Sequence, residues 1–430
     1  MRRACAMLAT GTLLTIQAAL GGERTTHPEA QWFGEAGLGL FIHWGISSVH
    51  GGIDLSWGMM AGTPWDAGRN KVTPEEYFAL ADRFRPDRYD PARWLAAAAQ
   101  AGFRYAVLTT RHHDGYALWP SAYGEFGVKT HLGGRDLVRP FVEACRKAGL
   151  KVGLYYSPPD WYWSRRYMSF NYGSDGDAKP HFGLRHEPVV LPSRPAGWDA
   201  AFRAYVRGQV TELLTRYGRI DLIWFDGGPD AISIEEIRKL QPWIVINPRM
   251  HGWGDFQTPE CRMPEAPIEG WWELCEIWPE GPWGYTTGHE KYRPVGWLLS
   301  RLAQVRSWGG NYLINVAPRP TGELPDAYYE RMRELAAWMR RGGESIFGVG
   351  RGPYPARSNV PVTVRGKTWY AHVLAGSDGR VELKDVQRPI SAKLLRTGAE
   401  LGGRFAGGSF TVELPREMRT DLDDVIAVAW

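Results

Sequence analysis

Cysteine is scarce, with four copies in 430 residues. No two of them form a Cys-x-x-Cys pair, which excludes a disulfide scaffold and a thiolate metal knuckle. Cys5 sits in an apolar N-terminal stretch and Cys145 in a helical pattern, where it reads as a core thiol. Cys261 and Cys275 could pair, but nothing in their spacing requires it. Beyond the N-terminus no apolar run is long enough to span a bilayer. No basic stripe is present either. Lys and Arg (51) are interspersed with Asp and Glu (47), for a net charge of +4, so a nucleic-acid partner is not expected. Internal repeats and low-complexity tracts are also missing, which argues against solenoids and disordered arrays.

Tryptophan is abundant, at 21 copies. Most of these rings suit core packing. Many nevertheless fall near predicted strand ends, among them Trp44, Trp57, Trp119, Trp161, Trp224, Trp271, Trp272, Trp283 and Trp308. Aromatic faces stack on the C–H faces of sugars, so this clustering favours a carbohydrate pocket. At the N-terminus, Arg2 and Arg3 precede an uncharged stretch from Ala4 to Leu20. Residues 1–22 therefore read as an export signal, which predicts a secreted or periplasmic protein.

Helix and strand signals alternate from about residue 30 to 345. The helix over 91–102 opens on a proline and closes on a glycine. Strand 105–110, helix 136–148 and strand 151–157 follow. A polar and aromatic stretch, 158–198, reads as a loop insertion. Then come helix 200–217, strand 220–226, helix 233–240 and strand 243–249. After a stretch at 250–290 that reads as loop-rich, a helix at 294–307, a strand at 311–317 and a helix at 325–341 complete the series. Such alternation predicts β-α units and a parallel sheet, and more than six units favour closure. The fold expected for 30–345 is an α/β, irregular (β/α)8-like barrel of TIM type. Residues 351–430 hold short alternating runs separated by turns, which predicts a small C-terminal antiparallel β-sandwich.

Three apolar runs end in chemically active residues. Leu222–Phe225 leads into Asp226, Leu38–Ile42 into His43, and Tyr105–Thr110 into Arg111-His112-His113-Asp114. In a parallel barrel the C-terminal strand ends form the active face, so these residues should share one pocket. Glycoside hydrolysis needs two carboxyl groups. Asp226 supplies one, and Glu260 or Glu273 could supply the other. The histidines also suggest a metal-dependent hydrolase. On an extended strand, however, adjacent His112 and His113 would point to opposite sides, which is poor geometry for joint chelation. Neutral imidazoles bonding sugar hydroxyls are the better reading, with no metal or organic cofactor.

These segments together resemble the α-L-fucosidases of glycoside hydrolase family 29. The matching stretches are Trp32-Phe33-Gly34-Glu35 through His43-Trp44-Gly45, Phe84-Arg85-Pro86, His112-His113-Asp114-Gly115-Tyr116, Leu154-Tyr155-Tyr156-Ser157, Trp224-Phe225-Asp226-Gly227, Asp255-Phe256-Gln257-Thr258-Pro259-Glu260 and Trp283-Gly284-Tyr285. The resemblance implies an exo-acting, retaining enzyme that removes terminal fucose from a fucosylated oligosaccharide or glycoconjugate. It implies Asp226 as nucleophile and Glu260 as acid/base, with Glu273 as the alternative. It also implies that His43, His112, His113, Tyr156, Trp224 and Arg249 hold the sugar ring and that Trp283 packs on its methyl group. Members often carry a Glu-Trp pair in the loop after His-Trp-Gly. Here Asp54 and Trp57 occupy that loop as candidate substitutes. A non-catalytic carbohydrate-binding protein on the same barrel is the alternative from another functional class.

Overall fold

The computed structural model describes residues 24–64, 72–174, 179–288 and 290–430. The expected signal segment, 1–22, lies outside the described residues. Eight parallel strands form one sheet: β1 (Leu38–Ile42), β2 (Tyr105–Arg111), β3 (Lys151–Tyr156), β4 (Leu222–Phe225), β5 (Val245–Ile246), β6 (Phe256–Gln257), β7 (Trp271–Ile277) and β8 (Asn311–Val316). Their order is β5-β4-β3-β2-β1-β8-β7-β6. The sheet thus curls into a barrel whose ladder is open only between β5 and β6. At that seam the Asp255 N–H donates to the Ile246 carbonyl at 2.7 Å.

Helices α1 (Pro91–Gln100), α2 (Val138–Lys147), α3 (Trp198–Thr215) and α4 (Ile234–Leu240) separate β1 through β5, and α5 (Val295–Ser307) separates β7 from β8. A last helix, α6 (Asp326–Gly342), follows β8. No α-helix stands between β5 and β6 or between β6 and β7. The stretch expected to be loop, 250–290, therefore holds two barrel strands. Strand β7 hides from a hydropathy reading because Glu273 and Glu276 interrupt its apolar run.

Two cores follow from the period of two along each strand. Phe41, Tyr105, Val107, Tyr155, Leu222, Trp224, Cys275 and Leu313 pack together inside the barrel. Leu40, Leu108, Leu154, Ile223, Leu274 and Ile314 pack outward against the helices. The Tyr105 ring lies over Gly39, where any side chain would collide with it.

Apart from a short antiparallel pair, His181–Phe182 with Pro188–Val189, in the 158–198 stretch, the antiparallel strands lie from Gly350 onward. One six-stranded sheet runs β9 (Gly350–Arg351), β10 (Val362–Arg365), β11 (Thr368–Val373), β17 (Asp424–Ala429), β13 (Ser391–Leu394), β14 (Ala399–Glu400). A three-stranded sheet of β12 (Arg380–Leu383), β16 (Ser409–Glu413) and β15 (Gly403–Ala406) faces it, and the two share an apolar core.

Candidate active site

Strand parity decides which residues reach the pocket at the C-terminal end of the barrel. Leu222 and Trp224 point inward, so Asp226, two residues on, projects into the same space. The same count sends Phe41 and His43 inward from β1. On β3 it sends Tyr155 inward and Tyr156 outward. The expectation for Tyr156 is thereby corrected. Its hydroxyl donates to Gln209 on α3 at 3.0 Å, on the helix side. Tyr155 takes its place, donating to Asp226 Oδ2 at 2.9 Å.

Parity fails at the end of β2, for a local reason. The β2–β3 register shifts between Thr109 and Arg111, and such a bulge re-aims the side chains beyond it. Arg111 swings out of the barrel, pairs with Asp160 at 3.2 Å and donates to Gln209 at 2.7 Å. His112 and His113 then leave the strand together. Their ring centroids are 4.3 Å apart, and atoms able to bind a metal on His112, His113 and Asp226 all lie within 4.8 Å of one another. The expectation that the two rings diverge is overturned by this bulge.

A small cavity is lined by Phe41, His43, Leu55, Trp57, His112, Tyr155, Trp224, Asp226, Arg249, Glu260, Cys275 and Trp283. It opens to an outer chamber walled by Asp54, Trp57, His113, Ile277, Gly281, Pro282 and Trp283. Asp54 Oδ1 accepts the Trp283 backbone N–H at 3.0 Å, so the two candidate substitutes, Asp54 and Trp57, both border the entrance.

Each of the three imidazoles is fixed through Nδ1: His43 by Asn315 Oδ1 at 2.7 Å, His112 by Ser56 Oγ at 2.5 Å, and His113 by Ser157 Oγ at 2.6 Å. Burial lowers the pKa of all three, that of His43 to about 4. They are therefore neutral at ordinary pH and suited to hydrogen bonding with hydroxyls.

Arg249 joins the two carboxylates. Its Nη1 lies 3.1 Å from Asp226 Oδ1 and its Nη2 lies 2.8 Å from Glu260 Oε2. The guanidinium also sits 4.5 Å from the Trp224 ring centroid, a cation–π contact. Burial alone would raise the Asp226 pKa. His113, Arg249 and the Tyr155 hydroxyl more than offset it, and the group is held below the usual aspartate range.

Glu273 does not reach the pocket. It is fully buried on β7 beneath Trp224. There it accepts hydrogen bonds from Trp224 Nε1 at 3.0 Å and from the Tyr105 hydroxyl. Burial raises its pKa to about 7, against the opposing pull of those two bonds and of Arg249. The Glu260 side chain, by contrast, is 42% exposed at the pocket wall. Neither a direct sugar contact nor the acid role fits Glu273 in this position. Cys261 and Cys275 are both free thiols.

Tyr155, Phe41, Leu55, Cys275 and the second-layer anchors Ser56, Ser157 and Asn315 were not singled out by the sequence. Strand β3 is apolar on both faces, so no alternation could distinguish Tyr155 from Tyr156.

A family model described as Alpha-L-fucosidase matches residues 21–344. The solved structure of α-L-fucosidase isoenzyme 1 from Paenibacillus thiaminolyticus superposes with a TM-score of 0.78 at 31% identity, covering 94% of this chain and 98% of that one. Tissue α-L-fucosidase of Mus musculus is 26% identical over 410 residues, 87% of this chain and 84% of its own. The Homo sapiens tissue enzyme is 28% identical over 355 residues, 75% of this chain and 70% of its own. The match runs across the barrel and its pocket, and the chain belongs to the α-L-fucosidase family.

Proposed function

We propose that the protein is an exo-acting, retaining α-L-fucosidase that hydrolyses terminal fucose from glycans, with Asp226 as nucleophile and Glu260 as acid/base. The observation that carries this reading is one guanidinium, Arg249, bridging both carboxylates in the pocket at the C-terminal end of the barrel. A shared bridge keeps the pair close, and retention needs a separation of roughly 5–5.5 Å.

In the first step Asp226 attacks the anomeric carbon while Glu260 gives its proton to the departing glycosidic oxygen. In the second, Glu260 takes a proton from water, which attacks the anomeric carbon and releases Asp226. Tyr155 and Arg249 orient the Asp226 oxygens and stabilise its ionised form. His43, His112 and His113 accept from or donate to ring hydroxyls. Phe41, Leu55 and Trp283 offer an apolar wall for the sugar methyl, whose burial contributes about 0.8 kcal/mol. A hydroxyl at that carbon would lose its water partners there without replacement. Having both carboxyls on one cation also argues against a degenerate binder.

The catalytic unit is read as 30–345 and the β module as 351–430. Residues 1–22 are read as an export signal for a secreted or periplasmic enzyme. N-terminal sequencing of the mature protein tests this, and a chain still beginning at Met1 would refute it. No helix among the described residues is long and apolar enough to cross a membrane. The activity itself is tested with an aryl α-L-fucoside followed by NMR. The first-formed sugar should be the α anomer. First-formed β-fucose would overturn double displacement, and no turnover at all would leave the binding-protein reading standing.

A further inference from the structure

The proposed cycle uses His112, His113 and Asp226 as separate groups, yet together they form a ligand set. Each ring has its Nδ1 engaged by a serine hydroxyl, Ser56 or Ser157. That leaves Nε2 on each ring as the free ligand atom, the anchoring pattern that orients metal-bound imidazoles. His113 Nε2 lies 3.5 Å from Asp226 Oδ2. Bonds of about 2.0–2.1 Å in a tetrahedral site place neighbouring ligand atoms roughly 3.3 Å apart, so this pair is nearly in position. Ligand atoms of the three residues all lie within 4.8 Å of one another, and ring rotations must close the remainder. Arg249 holds the other Asp226 oxygen, Oδ1, and Oδ2, which accepts the Tyr155 hydroxyl at 2.9 Å, keeps a second lone pair for an ion between it and His113. Two neutral imidazoles, one carboxylate and an open fourth position form the donor set of an accessible zinc site. Oxygen-preferring Mg²⁺ and Ca²⁺ do not match it.

We infer that the sugar-free pocket binds one borderline divalent transition ion, with Zn²⁺ the type case, through His112, His113 and Asp226, and that this ion excludes substrate rather than assisting catalysis. The competition rests on the fucosidase reading, because the ion would occupy the nucleophile and two hydroxyl-binding groups at once.

The test uses the full chain, with Co²⁺ as a spectroscopic stand-in and Zn²⁺ in kinetics. Titration with Co²⁺ should give a visible ligand-field band that saturates at one ion per chain and is bleached by Zn²⁺ or by fucose. His112→Asn and His113→Asn should each lose the band, while Cys261→Ser and Cys275→Ser should keep it. With an aryl fucoside, KM should rise about tenfold when free Zn²⁺ is about ten times its Kd, by simple mass action. kcat should stay unchanged, a chelator should reverse the effect, and Mg²⁺ should have none. The inference falls if wild-type protein gives no band, if the band survives in both histidine variants or disappears in a cysteine variant, or if Zn²⁺ lowers kcat without raising KM. Co²⁺ binding requires no turnover. Failure of the fucosidase reading would therefore appear separately, as a metal-free protein that binds Co²⁺ but hydrolyses no fucoside.

Discussion

At the residue scale, chemistry is set by which carboxyl is charged and which is wet. Asp226→Gly should abolish nearly all turnover, and a small external nucleophile such as azide should restore part of it. Rescue of any other carboxylate variant in its place would move the nucleophile. Arg249 holds Asp226 ionised, so Arg249→Met should shift the acid limb of kcat/KM to higher pH, and an unmoved limb would refute its role. Glu260→Ala should keep much activity on a dinitrophenyl fucoside, which leaves without a proton, and lose it on natural oligosaccharides. Glu273 supports a different kind of prediction. Its folded-state pKa of about 7 lies above its ordinary 4.5, so as pH rises the unfolded chain releases this proton first. Stability from the group is present below pH 4.5 and is lost as pH climbs to about 7. Melting curves of Glu273→Gln should therefore decline less than wild type across that window. Parallel curves would show that the buried carboxyl does not titrate there.

At the scale of elements, the turn after β2 governs the histidines. Gly115 has φ +87°, and a Cβ there would lie 2.7 Å from the Asp160 carboxyl carbon. Asp160 also pairs with Arg111 and caps the short helix Trp161–Ser164. Gly115→Ala should cost about 1–3 kcal/mol and lower kcat/KM. Thermal melting and steady-state kinetics check both effects, and an unchanged melting temperature would refute the strain argument. This turn also marks where sequence reading stops. Apolar runs ending in Asp226 and His43 were legible because strand ends carry the chemistry and the hydrophobic run stops there. The Thr109–Arg111 register shift leaves no composition signal, so the orientation of His112 and His113 could not be read. Tyr155 was hidden because both faces of β3 are buried, and β7 because its inward carboxyl broke the apolar run.

For the whole molecule, the junction of barrel and β module rests on a buried polar chain. His372 Nδ1 lies 2.6 Å from Asp423 Oδ2, with neither side chain exposed. The Asp423 carbonyl accepts Trp338 Nε1 of α6 at 2.7 Å, and Thr363 Oγ1 donates to the Ser345 carbonyl at 2.6 Å. Removing one partner of such a pair leaves a buried group unmatched, at a cost of about 3–5 kcal/mol. His372→Ala should lower the melting temperature of the whole chain while the folded fraction keeps its kcat on an aryl fucoside. Loss of kcat without loss of stability would mean that the module acts on the pocket directly.

The Arg249 bridge has a consequence for charge across the proposed cycle. Before attack, the anion is on Asp226 and the proton on Glu260. Once the sugar is esterified to Asp226 and the proton has left, the anion is on Glu260. The guanidinium touches both ends, so one negative charge passes from one of its nitrogens to the other. The total in the pocket never changes. The protein thus meets both half-reactions with the same fixed cation and need not rearrange its field between them.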